Sequence, residues 1–165
     1  MKRSIWQECT VLVTGASSGL GRALVLAFAR RGARVALMAR RREALKAVSQ
    51  EIANLGVEAL VLPADVREGA QVEHAIEEVL TQWGHLDVVV ANAGVYVRAP
   101  AQEVTMALLE KAMATNYFGA ARVLLAALPH LRRQRYGHLV LISSLDALTP
   151  LPLDAPYVAS KAALA

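Results

Sequence analysis

Short apolar runs and longer amphipathic stretches alternate along the 165 residues of the chain. Apolar runs rich in β-branched residues predict five strands, at 10–15, 34–39, 57–65, 86–94 and 138–144. Between them, apolar positions recur at helical spacing and predict helices at 20–32, 41–55, 70–83 and 105–133. Because the strand runs are apolar throughout, we expect helices to cover both faces of the sheet.

This alternation is typical of an α/β protein with a doubly wound parallel sheet of the Rossmann type. The predicted strand order is 3-2-1-4-5, numbered along the chain. In such a sheet, ligands bind at the carboxyl ends of the strands where the winding reverses, here between strands 1 and 4. No repeat or linker divides the sequence, so a single domain over residues 1–165 is predicted.

Composition narrows the class of protein without identifying a substrate. The chain is 55% hydrophobic and 19% charged, a profile of folded rather than disordered proteins. Its longest apolar runs have the length of strands and are shorter than a membrane span, so no membrane partner is predicted. Cys9 is the one cysteine, which excludes an internal disulfide and, with no visible secretory signal, favours the cytoplasm.

The net charge of +4 raises the question of nucleic-acid binding. The basic residues fall into short clusters, without interleaved aromatic residues and without a recognisable nucleic-acid-binding motif. We therefore predict no nucleic-acid partner.

A glycine-rich turn, TGASSGLG, joins the first strand to the first helix, with glycines at 15, 19 and 21. Such a turn lets the backbone approach a ligand closely, and the N–H groups that begin the helix suit a pyrophosphate. An ordinary Gly/Ser-rich turn is the alternative. The spacing G-x-x-x-G-x-G also differs from the commoner G-x-G-x-x-G of dinucleotide-binding proteins.

The end of the second strand lacks the acidic residue that usually holds the ribose hydroxyls of NAD. Ala39 occupies that position, and three arginines follow it at 40–42. Three cations at the start of a helix oppose its dipole, and a bound 2′-phosphate would compensate them, which favours NADP. A solvated basic helix end is the alternative. Asp65, after the third strand, suits either a hydrogen bond to an adenine amino group or a turn.

Tyr157 and Lys161 are four residues apart and therefore share one face of a predicted helix. A nearby ammonium lowers the pKa of a tyrosine, which can then exchange a proton with a carbonyl or alcohol oxygen. Ser144 ends the fifth strand, at the same sheet edge as the glycine turn, where a hydroxyl could stabilise charge on that oxygen. A surface pair is the alternative for a tyrosine and a lysine taken in isolation.

Together these motifs resemble the short-chain dehydrogenase/reductase family, in its compact single-domain branch. TGASSGLG, NAG at 92–94, Asn116, ISS at 142–144 and YVASK at 157–161 have that family's order and spacing. The resemblance implies an oxidoreductase that interconverts a carbonyl and a secondary alcohol by hydride transfer with NAD or NADP. Of the two, Ala39 and the arginines after it favour NADP. It also implies a small-molecule substrate and, for a full-length protein, a homo-oligomer.

The resemblance implies a catalytic role for each of four residues. Tyr157 would be the general acid and base, while Lys161 would lower its pKa and hold the nicotinamide ribose. Ser144 would orient the carbonyl. Asn116 would help to bind a water of the proton relay; the alternative is a local kink, because asparagine is poorly suited to a helix interior.

Cofactor-binding residues follow from the same resemblance. Ser18 and Arg40 would contact the 2′-phosphate, and Asp65 and Val66 would flank the adenine. The complete set implied is Gly15, Ser17, Ser18, Gly19, Leu20, Gly21, Arg40, Asp65, Val66, Asn92, Ala93, Gly94, Tyr157 and Lys161. No metal site is implied.

The sequence departs from the family pattern at three points. The usual double asparagine is Ala91–Asn92, and the glycine often found three residues after the serine is Ala147. The chain also ends inside the helix that carries Tyr157 and Lys161, so the sixth and seventh strands are lacking. We therefore expect the N-terminal part of an enzyme, inactive by itself. The alternative is a truncated, non-catalytic nucleotide-binding or interaction module.

Overall fold

The computed structural model describes residues 5–165. Its strands are β1 (Thr10–Thr14), β2 (Arg34–Ala39), β3 (Ala59–Pro63), β4 (Val88–Ala91) and β5 (His138–Leu141). Its α-helices are α1 (Gly19–Ala29), α2 (Arg42–Ala53), α3 (Gly69–Trp83), α4 (Met106–Met113), α5 (Ala120–Gln134) and α6 (Ala155–Ala162). A π-helical segment, Ala114–Gly119, joins α4 to α5, and 3₁₀ turns lie at Ala101–Glu103 and Leu145–Ala147.

The strands form one parallel sheet in the order β3-β2-β1-β4-β5. This confirms the predicted order and the doubly wound α/β fold. The register places Val13 beside Leu37 on one side and beside Val90 on the other. β1 and β4 therefore end next to each other where the winding reverses, and a crevice opens at their carboxyl ends.

Two apolar layers cover the sheet. The side chain of Leu12 in β1 packs in the layer between the sheet and helices α3 and α5, in the same cluster as Ile76. Val13 points to the opposite layer, with Val25 of α1 and Leu45 of α2. Successive side chains of a strand alternate between faces, and here both faces are buried, which accounts for the uninterrupted apolar runs.

The fourth and fifth strands are shorter than the apolar runs predict. β4 ends at Ala91, and the next N–H, that of Asn92, lies 3.1 Å from the carbonyl of Val90 and 3.0 Å from the hydroxyl of Thr14. β5 ends at Leu141 rather than at Ser144. Consequently the NAG and ISS tripeptides lie in loops at the sheet edge rather than in strands.

The helix predicted from Thr105 to Arg133 contains a π-helical interruption at Ala114–Gly119. Thr105 caps its start, since its hydroxyl accepts the N–H of Leu108 at 3.4 Å. The wider turn surrounds Asn116, a buried polar residue whose side chain bonds to a neighbouring segment. No helix within residues 5–165 is long and apolar enough to cross a membrane.

β5 forms one edge of the sheet, and its apolar side chains are only partly covered. Leu139, Val140 and Leu141 are 38%, 37% and 40% exposed, whereas the core residues of β1 are fully buried. In residues 5–165 this strand pairs with β4 alone. Its outer backbone groups therefore have no strand partner in this part of the chain.

Candidate active site

A cleft of about 530 Å³ lies at the carboxyl edge of the sheet. The predicted site residues that line it are Gly15, Ser17, Ser18, Leu20, Gly21, Arg40, Asp65, Val66, Asn92, Ala93, Gly94, Tyr157 and Lys161. Ala39 and Arg41, which the sequence had singled out for the choice of cofactor, line the cleft as well. Sequence reasoning assigned no role to the further lining residues Ala64, Val95, Tyr96, Thr115, Ile142 and Ser143. Gly19, Asn116 and Ser144 were predicted for the site but are not among the lining residues.

The glycine turn brings α1 unusually close to the end of β1. A Cβ atom on Gly21 would lie 2.3 Å from the carbonyl oxygen of Gly15, so no larger residue fits there without a shift of the backbone. Gly19 has φ +53°, and the position of its absent Cβ atom faces open space. The turn thus combines close packing of helix on strand with an accessible backbone at the start of the helix.

The N-terminus of α1 offers uncompensated backbone N–H groups. Within residues 18–22, the side chain of the N-cap residue Ser18 makes no capping hydrogen bond, and the first turn carries no acidic residue. The first N–H groups of a helix lack partners within it, and the helix dipole adds partial positive charge there. These groups fit the diphosphate of a dinucleotide.

Thr14 joins the end of β1 to the NAG loop after β4. Its hydroxyl oxygen accepts the N–H groups of Asn92 and Ala93 at 3.0 and 2.9 Å, and Nδ2 of Asn92 donates to the carbonyl of Thr14 at 2.8 Å. Thr14 is buried, and sequence reasoning did not assign it a role. Its position directly before the first glycine of the turn was the available signal.

Two arginines line the end of the cleft near β2. Arg40 and Arg41 follow Ala39, and Nη2 of Arg41 approaches the hydroxyl of Ser17 at 3.4 Å. Arg42, the third arginine of the run, begins α2 and is not among the lining residues. The cations at this end of the cleft can therefore meet an anionic group of a ligand.

Asp65 lines the cleft but is already paired. Its carboxylate accepts Nη2 of Arg67 at 2.7 Å and the backbone N–H of Arg67 at 3.0 Å. The side-chain hydrogen bond from Arg67 is the main cause of the lowered pKa of Asp65. Both interpretations of this residue thus have support, since it stabilises a turn and also faces the space where a ligand would lie.

Tyr157 and Lys161 project from α6 into the same cleft. Lys161 is 4% exposed, and its Nζ donates to the carbonyl of Ile142 at 2.6 Å. The same Nζ lies 5.9 Å from the centre of the Tyr157 ring. Burial lowers the pKa of the Lys161 ammonium.

Ser144 lies at the base of this region with its hydroxyl directed to the backbone. Its Oγ accepts the N–H of Asp146 at 3.2 Å and caps the 3₁₀ turn that follows. That contact uses an oxygen lone pair and leaves the hydroxyl hydrogen for another acceptor. The neighbouring Ser143 lines the cleft, and its hydroxyl donates to the carbonyl of Lys161 at 3.4 Å.

Asn116 ties the loop after β4 to α6. Its Oδ1 accepts the N–H of Val95 at 2.7 Å, and its Nδ2 donates to the carbonyl of Val95 at 2.9 Å and to the hydroxyl of Ser160 at 2.8 Å. The Ser160 hydroxyl donates in turn to the carbonyl of Tyr157 at 2.7 Å. These contacts give Asn116 a structural function, and its water-binding role stays a prediction.

Comparison with known proteins places this fold and cleft among enzymes. A family model described as short chain dehydrogenase matches residues 9–165. The chain is 36% identical over 165 residues to dehydrogenase/reductase SDR family member 7B of Bos taurus, covering 96% of this chain and 51% of that protein. It is 42% identical over 155 residues to an uncharacterized oxidoreductase of Myxococcus xanthus, covering 94% of this chain and 61% of that protein. The chain thus spans about half to three fifths of the length of these relatives.

Solved structures agree with the sequence relatives. NAD⁺-bound xylitol dehydrogenase matches with a TM-score of 0.94 and 30% identity, covering 97% of this chain and 62% of that chain. A 3-ketoacyl-ACP reductase from Sinorhizobium meliloti matches with a TM-score of 0.89 and 35% identity, covering 94% of this chain and 62% of that chain. The family match over residues 9–165 and the fold shared with these structures lead to one conclusion: the chain belongs to the short-chain dehydrogenase family of oxidoreductases.

Proposed function

We propose that this protein interconverts a small-molecule carbonyl compound and the corresponding secondary alcohol with a nicotinamide dinucleotide. The observation that carries the proposal is the placement of Tyr157 and Lys161 in the same cleft as the glycine turn. One end of this cleft offers backbone N–H groups for a diphosphate, and the other offers a phenol for proton exchange. When bound, the nicotinamide supplies or accepts the hydride.

Tyr157 moves the proton in this proposal. Its phenol donates to the carbonyl oxygen as the carbonyl carbon is reduced, and its phenolate accepts the alcohol proton in the reverse direction. Lys161 stabilises the phenolate through its nearby ammonium, which the carbonyl of Ile142 holds in place. The proton-exchanging group and its electrostatic support therefore come from a single helix, α6.

Ser144 and Asn116 complete the proposed machinery. The bond from the N–H of Asp146 fixes the Oγ of Ser144 while its hydrogen remains available to the reacting oxygen. Asn116 fixes α6 against the loop after β4, and a water held near it would return a proton to Tyr157.

NADP is the proposed cofactor. Arg40 and Arg41 line the cleft next to Ala39, where a residue for the 2′-hydroxyl of NAD would otherwise be acidic. Guanidinium groups form strong, charge-assisted hydrogen bonds with phosphate. Xylitol dehydrogenase, solved with NAD⁺, has the same fold, so the fold does not decide the cofactor and these side chains carry the assignment.

The remaining partners are assigned on chemical grounds. We propose a small carbonyl or alcohol substrate, because the reacting groups lie inside a cleft and not on a flat surface. A cytoplasmic location agrees with Cys9 being a free thiol. A homo-oligomeric assembly of the full-length protein is part of the same proposal.

Replacement of Tyr157 tests the function. In the full-length protein, Tyr157→Phe should lower kcat by a factor of about 10² or more, because it removes the proton donor and little else. The Kd for NADPH, measured by fluorescence titration, should stay nearly unchanged. Lys161→Ala should weaken both turnover and NADPH binding.

The matched control is Tyr136→Phe, since Tyr136 is 56% exposed and does not line the cleft. That variant should keep the parent's kcat and its affinity for NADPH. Retention of most of the turnover by Tyr157→Phe would show that another group donates the proton.

A further inference from the structure

Asp154 is the only buried carboxylate in residues 5–165, and the proposed reaction does not use it. It is 0% exposed and lies directly before α6. Its Oδ2 accepts the hydroxyl of Tyr96 at 2.5 Å, and its Oδ1 accepts Nε of Arg98 at 2.8 Å. The guanidinium of Arg98 also lies 5.7 Å from the centre of the Tyr96 ring. We call Tyr96, Arg98 and Asp154 the Asp154 network.

The Asp154 network joins the loop after β4 to the helix that carries Tyr157. Beside the side-chain bonds, the N–H of Ala99 donates to the carbonyl of Leu153 at 2.9 Å. The carbonyl of Asp154 accepts the N–H of Val158 at 2.8 Å, so Asp154 is the N-cap residue of α6. A carboxylate fixed at this helix end therefore holds two side chains of the neighbouring loop.

Tyr96 carries this connection into the cleft. Its ring meets the ring of Tyr157 edge to face, with centres 4.7 Å apart and planes at 87°. Tyr96 also lines the cleft. The hydrogen bond to Asp154, together with partial burial, raises the pKa of Tyr96, so this phenol remains a donor to the carboxylate. Although Tyr96 is 56% exposed, its ring is held at one end by the bond to Asp154 and packs edge to face against Tyr157.

Strained backbone accompanies the network. Leu153 has φ +74°, in the left-handed region that side chains with a Cβ atom rarely adopt. This conformation directly precedes Asp154, and the bond from Ala99 helps to hold it. Residues in such conformations persist where the surrounding structure fixes them, and they cluster at functional sites. The left-handed residue is thus the one that directly precedes Asp154 in the chain.

We infer that Asp154 is a positioning residue for Tyr157, acting through Tyr96, whose ring fixes the place of the Tyr157 ring in the cleft. Asp154 is itself fully buried and is not among the lining residues, so it does not meet substrate or cofactor. This inference rests on the proposed function of Tyr157 as the proton donor.

Kinetics of two variants of the full-length protein test the inference. Asp154→Asn should lower kcat about tenfold to a hundredfold, since a displaced reacting group costs that much, while the Kd for NADPH stays unchanged. Tyr96→Phe keeps the aromatic ring and removes only the hydroxyl that bonds to Asp154, so it should also lower kcat, by a smaller factor. Glu103→Gln changes an exposed carboxylate in the segment between β4 and α4, and this variant should have the parent's kcat and Kd for NADPH.

A second measurement does not depend on activity. In protein labelled with ¹³C at the tyrosine Cζ atoms, the Tyr157 resonance is identified by its loss in Tyr157→Phe. The chemical shift of this resonance should change in Asp154→Asn and in Tyr96→Phe, and it should be unchanged in Glu103→Gln. If the parent lacks NADPH-dependent turnover, the proposed function fails, and the Tyr157 resonance still tests whether Asp154 and Tyr96 fix the position of the Tyr157 ring.

The two proposals fail in different ways. The positioning role is overturned if Asp154→Asn and Tyr96→Phe both retain the parent's kcat and its Tyr157 resonance. The proposed function remains intact in that case if Tyr157→Phe is inactive. A general loss of stability would instead weaken NADPH binding in Asp154→Asn, which also contradicts the inference. A lower kcat and a moved Tyr157 resonance, at unchanged NADPH affinity, support it.

Discussion

Ala39 and Arg40 are the residues whose exchange tests the cofactor assignment. In the full-length protein, Ala39→Asp combined with Arg40→Ala should reverse a preference for NADPH over NADH. The new carboxylate can accept the ribose hydroxyls of NADH and repels a 2′-phosphate, while the lost guanidinium removes a phosphate partner. Each affinity should change about tenfold, as expected for one charge-assisted hydrogen bond. Fluorescence titration with both nucleotides gives the dissociation constants.

Arg42→Ala is the control for this exchange. Arg42 belongs to the same run of arginines but does not line the cleft, so its removal should leave the ratio of the two dissociation constants unchanged. Equal affinity of the parent for NADPH and NADH would contradict the 2′-phosphate assignment.

The sequence allowed prediction of the side chains whose positions are set by neighbouring residues in the chain. It did not allow prediction of those whose positions are set by contacts with residues distant in sequence. The glycine turn could be predicted because its residues adjoin a strand and a helix recognisable from their patterns. Ser144 was placed at the correct sheet edge, but its bond to Asp146 depends on a 3₁₀ turn that apolar periodicity does not predict. Tyr96 and Asp154 are 58 residues apart, and nothing in their local sequences pairs them.

Helix α1 depends on Gly21 for its contact with the end of β1. Gly21→Ala would bring a methyl group against the carbonyl oxygen of Gly15, so the helix must move away from the turn. We expect the free energy of unfolding to fall by about 1–3 kcal/mol, the usual cost of overpacking. NADPH binding should weaken as well, because the N–H groups of the first turn move with the helix. Chemical denaturation and nucleotide titration measure the two effects.

Gly69→Ala is the matched control at the start of another helix, α3. A Cβ atom there meets no heavy atom within 4 Å, and the residue does not have a positive φ. The same substitution should therefore raise the free energy of unfolding by about 0.4–1 kcal/mol, by restricting the unfolded chain. Similar losses of stability in the two variants would contradict the steric explanation.

The parallel α/β sheet could be predicted because apolar runs and helical periods alternate along the chain, and the strand order follows from assigning that alternation to the Rossmann type. The end of β4 could not, since it coincides with bonds of the Asn92 N–H to Val90 and to the hydroxyl of Thr14, which is distant in sequence. The π-helical segment Ala114–Gly119 also lay beyond prediction. Apolar spacing continues across it, and the extra residue in the turn accompanies the bonds that Asn116 makes to another loop.

The exposed β5 edge governs how residues 1–165 should behave when produced by themselves. Leu139 and Leu141 are about two fifths exposed on a strand with an open edge, which favours pairing between copies. We expect this span to associate with rising concentration in light-scattering measurements. Leu139→Lys combined with Leu141→Lys should reduce the association, because charges on an edge strand oppose pairing.

Leu55→Lys is the control for the edge. Leu55 is 43% exposed and follows α2, outside any strand, so adding a charge there should leave the association unchanged. A monomeric parent span over the same concentrations would show that the edge is protected in some other way.

The pairing of β1 with β4 has a consequence for the folding of the nascent chain during synthesis. Val13 pairs with Leu37 on one side and with Val90, much later in the chain, on the other. Domains generally fold as units, so the sheet cannot be completed before β4 has been synthesised. The strand that becomes the centre of the sheet therefore lacks one of its two neighbours through much of translation, and its apolar side chains stay uncovered on that side. The same delay means that Thr14 cannot receive its bonds from Asn92 and Ala93 until the NAG loop has emerged.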